Sequence, residues 1–139
     1  RAARAGGEPR PQAVGGVILT DGRDDVVDAA AVERGGATVL DARAAERYAG
    51  EVEPVDPVAG HIPGARNVPF GSASSIDEDL LAHPGPLVAY CGSGVTACVL
   101  LLGFAAAGRN DVLLYPGSWS DWVARGGAVE TGPDRGAAW

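Results

Sequence analysis

Lysine is absent from this 139-residue chain, and so is methionine. All 11 basic side chains are therefore arginines, set against 18 carboxylates for a formal net charge of −7. Without lysine there is no side-chain amine for a Schiff base, which excludes chemistry of the pyridoxal type. The acidic balance, with no cluster of arginines alternating with aromatics, argues against a groove that tracks phosphates, so no nucleic-acid partner is expected. No apolar run approaches the ~18 residues that a bilayer requires, so no membrane partner is expected either. Residues 1–12 are basic and polar with no apolar stretch, unlike a secretory signal. Cysteine is scarce: Cys91 and Cys98 are the only two. They make a poor disulfide framework and lack zinc-site spacing, and without a secretion signal they point to a reducing, cytoplasmic compartment. No metal or organic cofactor has a visible site. The missing initiator methionine suggests a fragment or processed form of a longer protein. The abundance of Ala, Gly and Arg reads as coding from a GC-rich, bacterial genome.

What is present is ordinary for a globular domain, with 46% hydrophobic and 21% charged residues. Residues 1–16, rich in Gly, Pro, Ala and Arg, read as a linker or flexible arm, residues 17–131 as the folded domain, and 132–139 as an irregular tail. Short continuous apolar runs at 17–20, 37–40, 65–68, 87–90 and 112–115 fit strands. Helices are expected at 27–34, 44–48, 76–83 (capped by Ser74 or Ser75), 97–107 and 118–125 (capped by Ser118 or Ser120). The 97–107 helix is apolar nearly all round, which predicts burial. Strand and helix alternate, so the pattern implies a single α/β domain with a mainly parallel sheet.

The most informative stretch is Leu87-Val-Ala-Tyr-Cys91-Gly-Ser-Gly-Val-Thr96-Ala-Cys98. A buried strand delivers Cys91 to its C-terminal end, where open α/β sheets place their ligands. Gly92 and Gly94 let the backbone curl so that successive N–H groups converge, and a helix N-terminus follows at once. Such a cradle, formed by Gly92, Ser93, Gly94, Val95 and Thr96, would favour a thiolate and equally a persulfide anion. On local sequence alone a structural cysteine in a tight turn reads equally well.

The Cys91-Gly-Ser-Gly-Val-Thr-Ala loop resembles the active-site loop of rhodanese-type sulfurtransferases, most of all the 3-mercaptopyruvate form. Members that prefer thiosulfate usually carry basic residues where this chain has Gly92 and Ser93. Asp41-Ala-Arg43 through Arg47-Tyr48, Gly60-His61-Ile62-Pro63-Gly64-Ala65 with Asn67-Val-Pro69, and Pro116-Gly117-Ser118-Trp119-Ser-Asp-Trp122 resemble further motifs of the family, in the family's order. The resemblance implies a rhodanese fold, a central parallel five-stranded sheet flanked by helices, with 17–131 as the catalytic domain. It further implies an N-terminal rhodanese-like domain, absent from this chain, that helps to wall the site.

The same resemblance makes Cys91 the nucleophile that carries sulfur as a persulfide, from a small-molecule donor to a thiol or cyanide acceptor. It makes Arg47 the substrate-binding arginine and Asp41 and Arg43 structural residues near the site. The second substrate arginine of animal-type mercaptopyruvate members is replaced by Asp56, which leaves Arg47 alone, Arg66 or the absent domain to hold a donor carboxylate, or else implies a different substrate. His61 reads as a structural loop residue, His83 as a solvated helix end, Trp119 and Trp122 as packing against the sheet, and Cys98 as a core thiol. Two other readings compete: a cysteine phosphatase, which needs a longer loop ending in an arginine, and a non-catalytic binding module, which usually loses the cysteine.

Overall fold

The computed structural model describes residues 13–14, 17–18 and 25–135. β1 (Ala13–Val14) and β2 (Val17–Ile18) form a short antiparallel pair. Of the expected 1–16 arm only Ala13–Val14 lies among the described residues, and 136–139 of the expected tail lie outside them. α1 (Ala29–Arg34) opens at Asp28, whose carboxylate accepts the N–H of Ala31 at 2.9 Å. There follow β3 (Thr38–Asp41), α2 (Ala45–Ala49), β4 (Arg66–Asn67), a 3-10 turn at Phe70–Ser72, α3 (Glu78–Leu81), β5 (Leu87–Tyr90), α4 (Ala97–Ala106), β6 (Leu113–Leu114) and α5 (Ser118–Ala124).

β4, β3, β5 and β6 lie side by side in that order, all parallel, with Leu40 opposite Ala89 and Ala89 opposite Leu114. Among the described residues the sheet has four full strands, with a parallel bridge at the position of the expected fifth. The fifth position is reduced to Val26, a single parallel bridge to Leu114, held by hydrogen bonds from Leu114 N–H to Asp25 O and from Val27 N–H to Leu114 O. Asp28 caps α1 immediately afterwards and turns the chain off the sheet.

Side chains alternate across β5, and each face builds its own core. Val88 and Tyr90 join Val32, Tyr48, Trp119 and Trp122 on one face. Leu87, Ala89 and Cys91 join Leu80, Ala97, Leu100 and Phe104 on the other. Covering on both faces is why the strands read as unbroken apolar runs.

Three expectations need correction. α4 is not buried all round: Ala97, Leu100 and Phe104 face the sheet, whereas Val99, Leu102 and Cys98 are exposed, because nothing among the described residues packs over the outer side. α3 starts after Asp77, not at Ser74 or Ser75, since the 3-10 turn occupies the chain just before it. His83 is half-buried, with Nε2 3.1 Å from the Thr38 hydroxyl. Residues 132–135 carry no regular structure, yet Asp134 is tied down. Its carboxylate accepts the N–H of Asn67 at 2.8 Å and pairs with Arg66, which covers the edge strand β4.

Candidate active site

β5 is paired on both sides, so its C-terminal end is a rigid mount, and Cys91 is the next residue. Its backbone is pinned on three counts. The N–H of Cys91 donates to Ser118 Oγ at 3.0 Å, Cys91 O accepts the N–H of Trp119 at 2.9 Å, and Gly92 O accepts the N–H of Ser120 at 3.0 Å. Ser118 is therefore not an N-cap. It is fully buried with φ 58, an unusual value for a residue with a Cβ, and its hydroxyl donates in turn to Tyr115 O. Those two bonds hold it in that conformation.

Around the sulfur the chain curls back. Gly94 N–H donates to Cys91 Sγ at 3.0 Å. Burial by itself pushes the Cys91 thiol up, but the Thr96 hydroxyl and the N–H groups of Ala97, Ser93 and Gly94 outweigh it, and the thiol lies below its ordinary value. Gly94 has φ 93, and a Cβ there would collide with Pro116 O, so the cradle requires glycine. Val95 takes part only through its backbone, its carbonyl accepting the N–H of Cys98, while its side chain points to solvent. Ser93 is likewise exposed and contributes its N–H.

Arg47, on α2, stands over this loop. A Cβ placed on Gly92 would lie 3.5 Å from both Nη1 and Nη2 of the guanidinium. Nη2 donates to Glu53 Oε2 at 3.0 Å, and Nε is buried without a hydrogen-bond partner. Glu53 also accepts the N–H groups of Val55 and Asp56 and lies 3.4 Å from Arg43 Nη1. Burial would raise the Glu53 carboxyl, but the N–H groups of Asp56 and Val55 and the Arg47 guanidinium hold it below the usual range.

Asp41 and Arg43 form a buried pair beneath the site. Nη2 of Arg43 donates to Asp41 Oδ2 at 2.6 Å and to Gly60 O at 2.7 Å, and Tyr90 Oη donates to the same Asp41 oxygen at 2.6 Å. The Arg43 guanidinium lies 4.8 Å from the centroid of the Trp119 ring. These contacts tie the ends of β3 and β5 to the loop that contains His61. His61 stacks on Tyr48 at 3.7 Å, donates from Nδ1 to Tyr48 O at 2.7 Å, and sets Nε2 3.3 Å from Glu130. Both ring nitrogens are engaged in holding the loop.

Asp56 fills a different place from a substrate arginine: its carboxylate accepts the Ser120 hydroxyl at 3.0 Å, and nearby Trp119 Nε1 donates to Val58 O at 2.9 Å. These two bonds clasp the 53–58 segment to α5. Arg66 pairs with Asp134. Cys98 is exposed, with Sγ 3.5 Å from Gly94 O, because it falls on the uncovered side of α4. Ser118, Ala97 and Glu53 escaped the sequence reading in these roles. Ser118 was visible only as a helix cap, and Glu53 is one acid among several in a proline-rich loop.

Residues 25–125 match the model of the rhodanese-like domain. The chain is 49% identical over 102 residues to a provisionally named thiosulfate sulfurtransferase, SseB, of Mycobacterium tuberculosis, covering 63% of this chain and 36% of that protein. It is 44% identical over 117 residues to the probable 3-mercaptopyruvate sulfurtransferase of Pseudomonas aeruginosa, covering 70% and 41%. Among solved structures, one described as a probable thiosulfate sulfurtransferase superposes with a TM-score of 0.67 at 32% identity, over 78% of this chain and 48% of that one. SseA of Escherichia coli, described as a 3-mercaptopyruvate enzyme, does so with a TM-score of 0.53 at 35% identity, over 70% and 43%. The chain thus spans less than half the length of these relatives. Motif order, parallel sheet and the loop after β5 agree with the family match, and the chain belongs to the rhodanese-like domain family.

Proposed function

We propose that residues 17–131 are the catalytic domain of a sulfurtransferase that takes sulfur from 3-mercaptopyruvate and passes it to a thiol or cyanide acceptor. The observation that carries this reading is the convergence of N–H and hydroxyl donors on Cys91 Sγ. A thiolate there attacks the donor's sulfur, the carbon–sulfur bond breaks, and its electron pair leaves on carbon as the enolate of pyruvate, which takes up a proton. The Cys91 persulfide stays in the same cradle, whose donors stabilise its terminal charge. An acceptor thiolate or cyanide then attacks the outer sulfur and releases the Cys91 thiolate, a ping-pong cycle that asks nothing of a metal or organic cofactor. Arg47 is the group placed to hold the donor carboxylate over the loop.

Thiosulfate as donor is the second reading, supported by the name of the mycobacterial relative. Against it stands the loop itself, where Gly92 and Ser93 offer neutral donors to a dianion. A phosphatase reading lacks the loop arginine, since Ala97 follows Thr96. The non-catalytic reading is disfavoured by a cradle that keeps its cysteine and its depressed thiol. We place the protein in a bacterial cytoplasm, with a companion rhodanese-like domain walling the site in the longer protein; the greater length of the relatives leaves room for one.

The test is to incubate the chain with each donor and weigh it. A gain of one sulfur atom, removed by cyanide and absent from Cys91→Ser, is expected, with faster loading from 3-mercaptopyruvate. Failure of both donors to load Cys91 would sink the sulfur-transfer reading, and faster loading from thiosulfate would reverse the donor assignment.

A further inference from the structure

The Arg47 guanidinium stands over Gly92 of the Cys91 loop, yet it does not present a free charge. Its Nη2 is 3.0 Å from Glu53 Oε2, and the Glu53 side chain is 5% exposed against 22% for Arg47. Glu53 is not a chance neighbour swinging in solvent. The N–H groups of Val55 and Asp56 donate to the same oxygen at 3.1 and 3.0 Å, and Asp56 is itself clasped to Ser120 on α5. The second arginine close by, Arg43, is already matched by Asp41. Two guanidiniums therefore face two carboxylates, with Glu53 also 3.4 Å from Arg43 Nη1, and Asp56 adds a further negative charge on the same segment.

We infer that Glu53 is a specificity-determining residue of the proposed sulfur transfer: it fixes Arg47 over Gly92 and cancels its charge, so that the mouth selects a monoanionic donor over a dianion. The inference rests on the sulfurtransferase reading. A donor carboxylate gains directional N–H groups from the Arg47 guanidinium, but little net attraction. A dianion approaching a thiolate needs a positive field more, because its electrostatic free energy doubles with its charge. Glu53 acts through Arg47 and is placed here as a positioning residue, not a catalytic one.

The experiment is Glu53→Gln, which keeps a carbonyl oxygen for the Val55 and Asp56 N–H groups and raises the local charge by one. Steady-state transfer to cyanide is measured with both donors at low and high ionic strength. KM for 3-mercaptopyruvate is expected to fall by about threefold and KM for thiosulfate by roughly tenfold, the square of the first factor as the doubled charge requires. Both effects should shrink as the Debye length drops from about 10 Å toward 3 Å between 0.1 M and 1 M salt, with kcat little changed. Val55→Arg supplies the same added charge on a side chain 73% exposed, keeps the backbone N–H that Glu53 accepts, and should shift the two donors in the same unequal way if Glu53→Gln is poorly folded. Equal shifts for the two donors, no shift, or loss of transfer from both in well-folded variants would overturn the inference. If wild-type Cys91 loads from neither donor, the underlying reading falls first, and mass measurement of the untreated and treated chain distinguishes that case.

Discussion

Cys91 and Cys98 sit on either side of Gly94 and meet opposite ends of its peptide groups. Cys91 Sγ accepts the Gly94 N–H, whereas Cys98 Sγ donates to the Gly94 carbonyl. Only the first contact favours a thiolate. Cys91→Ser is expected to abolish sulfur loading and Cys98→Ser to leave it intact, checked by mass and by cyanide-labile sulfur; an active Cys91→Ser protein would remove the mechanism. The Thr96 hydroxyl is the largest of the groups that lower the Cys91 thiol. In Thr96→Val the pH at which alkylation of Cys91 reaches half its maximal rate should rise, and the rate at neutral pH should fall. The sign follows from the chemistry: a donor to the sulfur stabilises the anion, so its loss moves thiolate formation to higher pH. Activity lost at neutral pH should partly return in alkaline buffer.

Two glycines separate the loop's function from the support of the element behind it. Gly94→Ala forces a Cβ into Pro116 O at φ 93, and is expected to disrupt the cradle and end sulfur loading. Gly103→Ala, on α4, drives a Cβ into the backbone of Ala73 after the 3-10 turn, and should cost about 1–3 kcal/mol of stability. Urea denaturation should register that loss while the pH midpoint of Cys91 alkylation stays put; a shifted midpoint would mean that α4 tunes the thiol through its packing. The elements themselves were largely readable. β5 announces itself as four apolar residues before a glycine-broken turn, whereas α1 was read from residue 27, ahead of its start at Ala29 behind the Asp28 cap. α4 was misjudged because a helix apolar on every side has no phase, so its sequence cannot say which side meets the sheet. The place of Cys91 at a strand end was legible, whereas its role as a nucleophile was read only from the family resemblance. Ser118 and Glu53 were not, because each acts on a group far along the chain, Ser118 on the N–H of Cys91 and Glu53 on the guanidinium of Arg47. Contacts of that kind exist only after the loops have been brought together.

At the scale of the molecule, all three tyrosines are held protonated. Tyr48 is pushed up to about 12, mainly by burial. Tyr90 is raised by burial and by Asp41, and Tyr115 by burial and by its bond to Asp121. In the unfolded chain each would ionise near the ordinary value of about 10. Above that pH the unfolded state binds fewer protons than the folded one, so stability must fall as pH rises toward 12; below it the tyrosines add no pH dependence. Urea titrations between about pH 8 and 11 should show this decline. Tyrosinate absorbance should appear with unfolding rather than before it, and early appearance would show that the phenols are less sequestered than their contacts require. The shared bond between Cys91 and Ser118 has a further consequence, in time rather than charge. Because the Cys91 amide gives its hydrogen to a fully buried hydroxyl at the end of the central strand, it should exchange with deuterium as slowly as the amides of β5, through global opening alone. A cysteine on an ordinary loop would exchange in the fast class. In Ser118→Ala the Cys91 amide should leave the slow class while the β5 amides remain in it, so that one proton's lifetime reports whether the base of the Cys91 loop is closed.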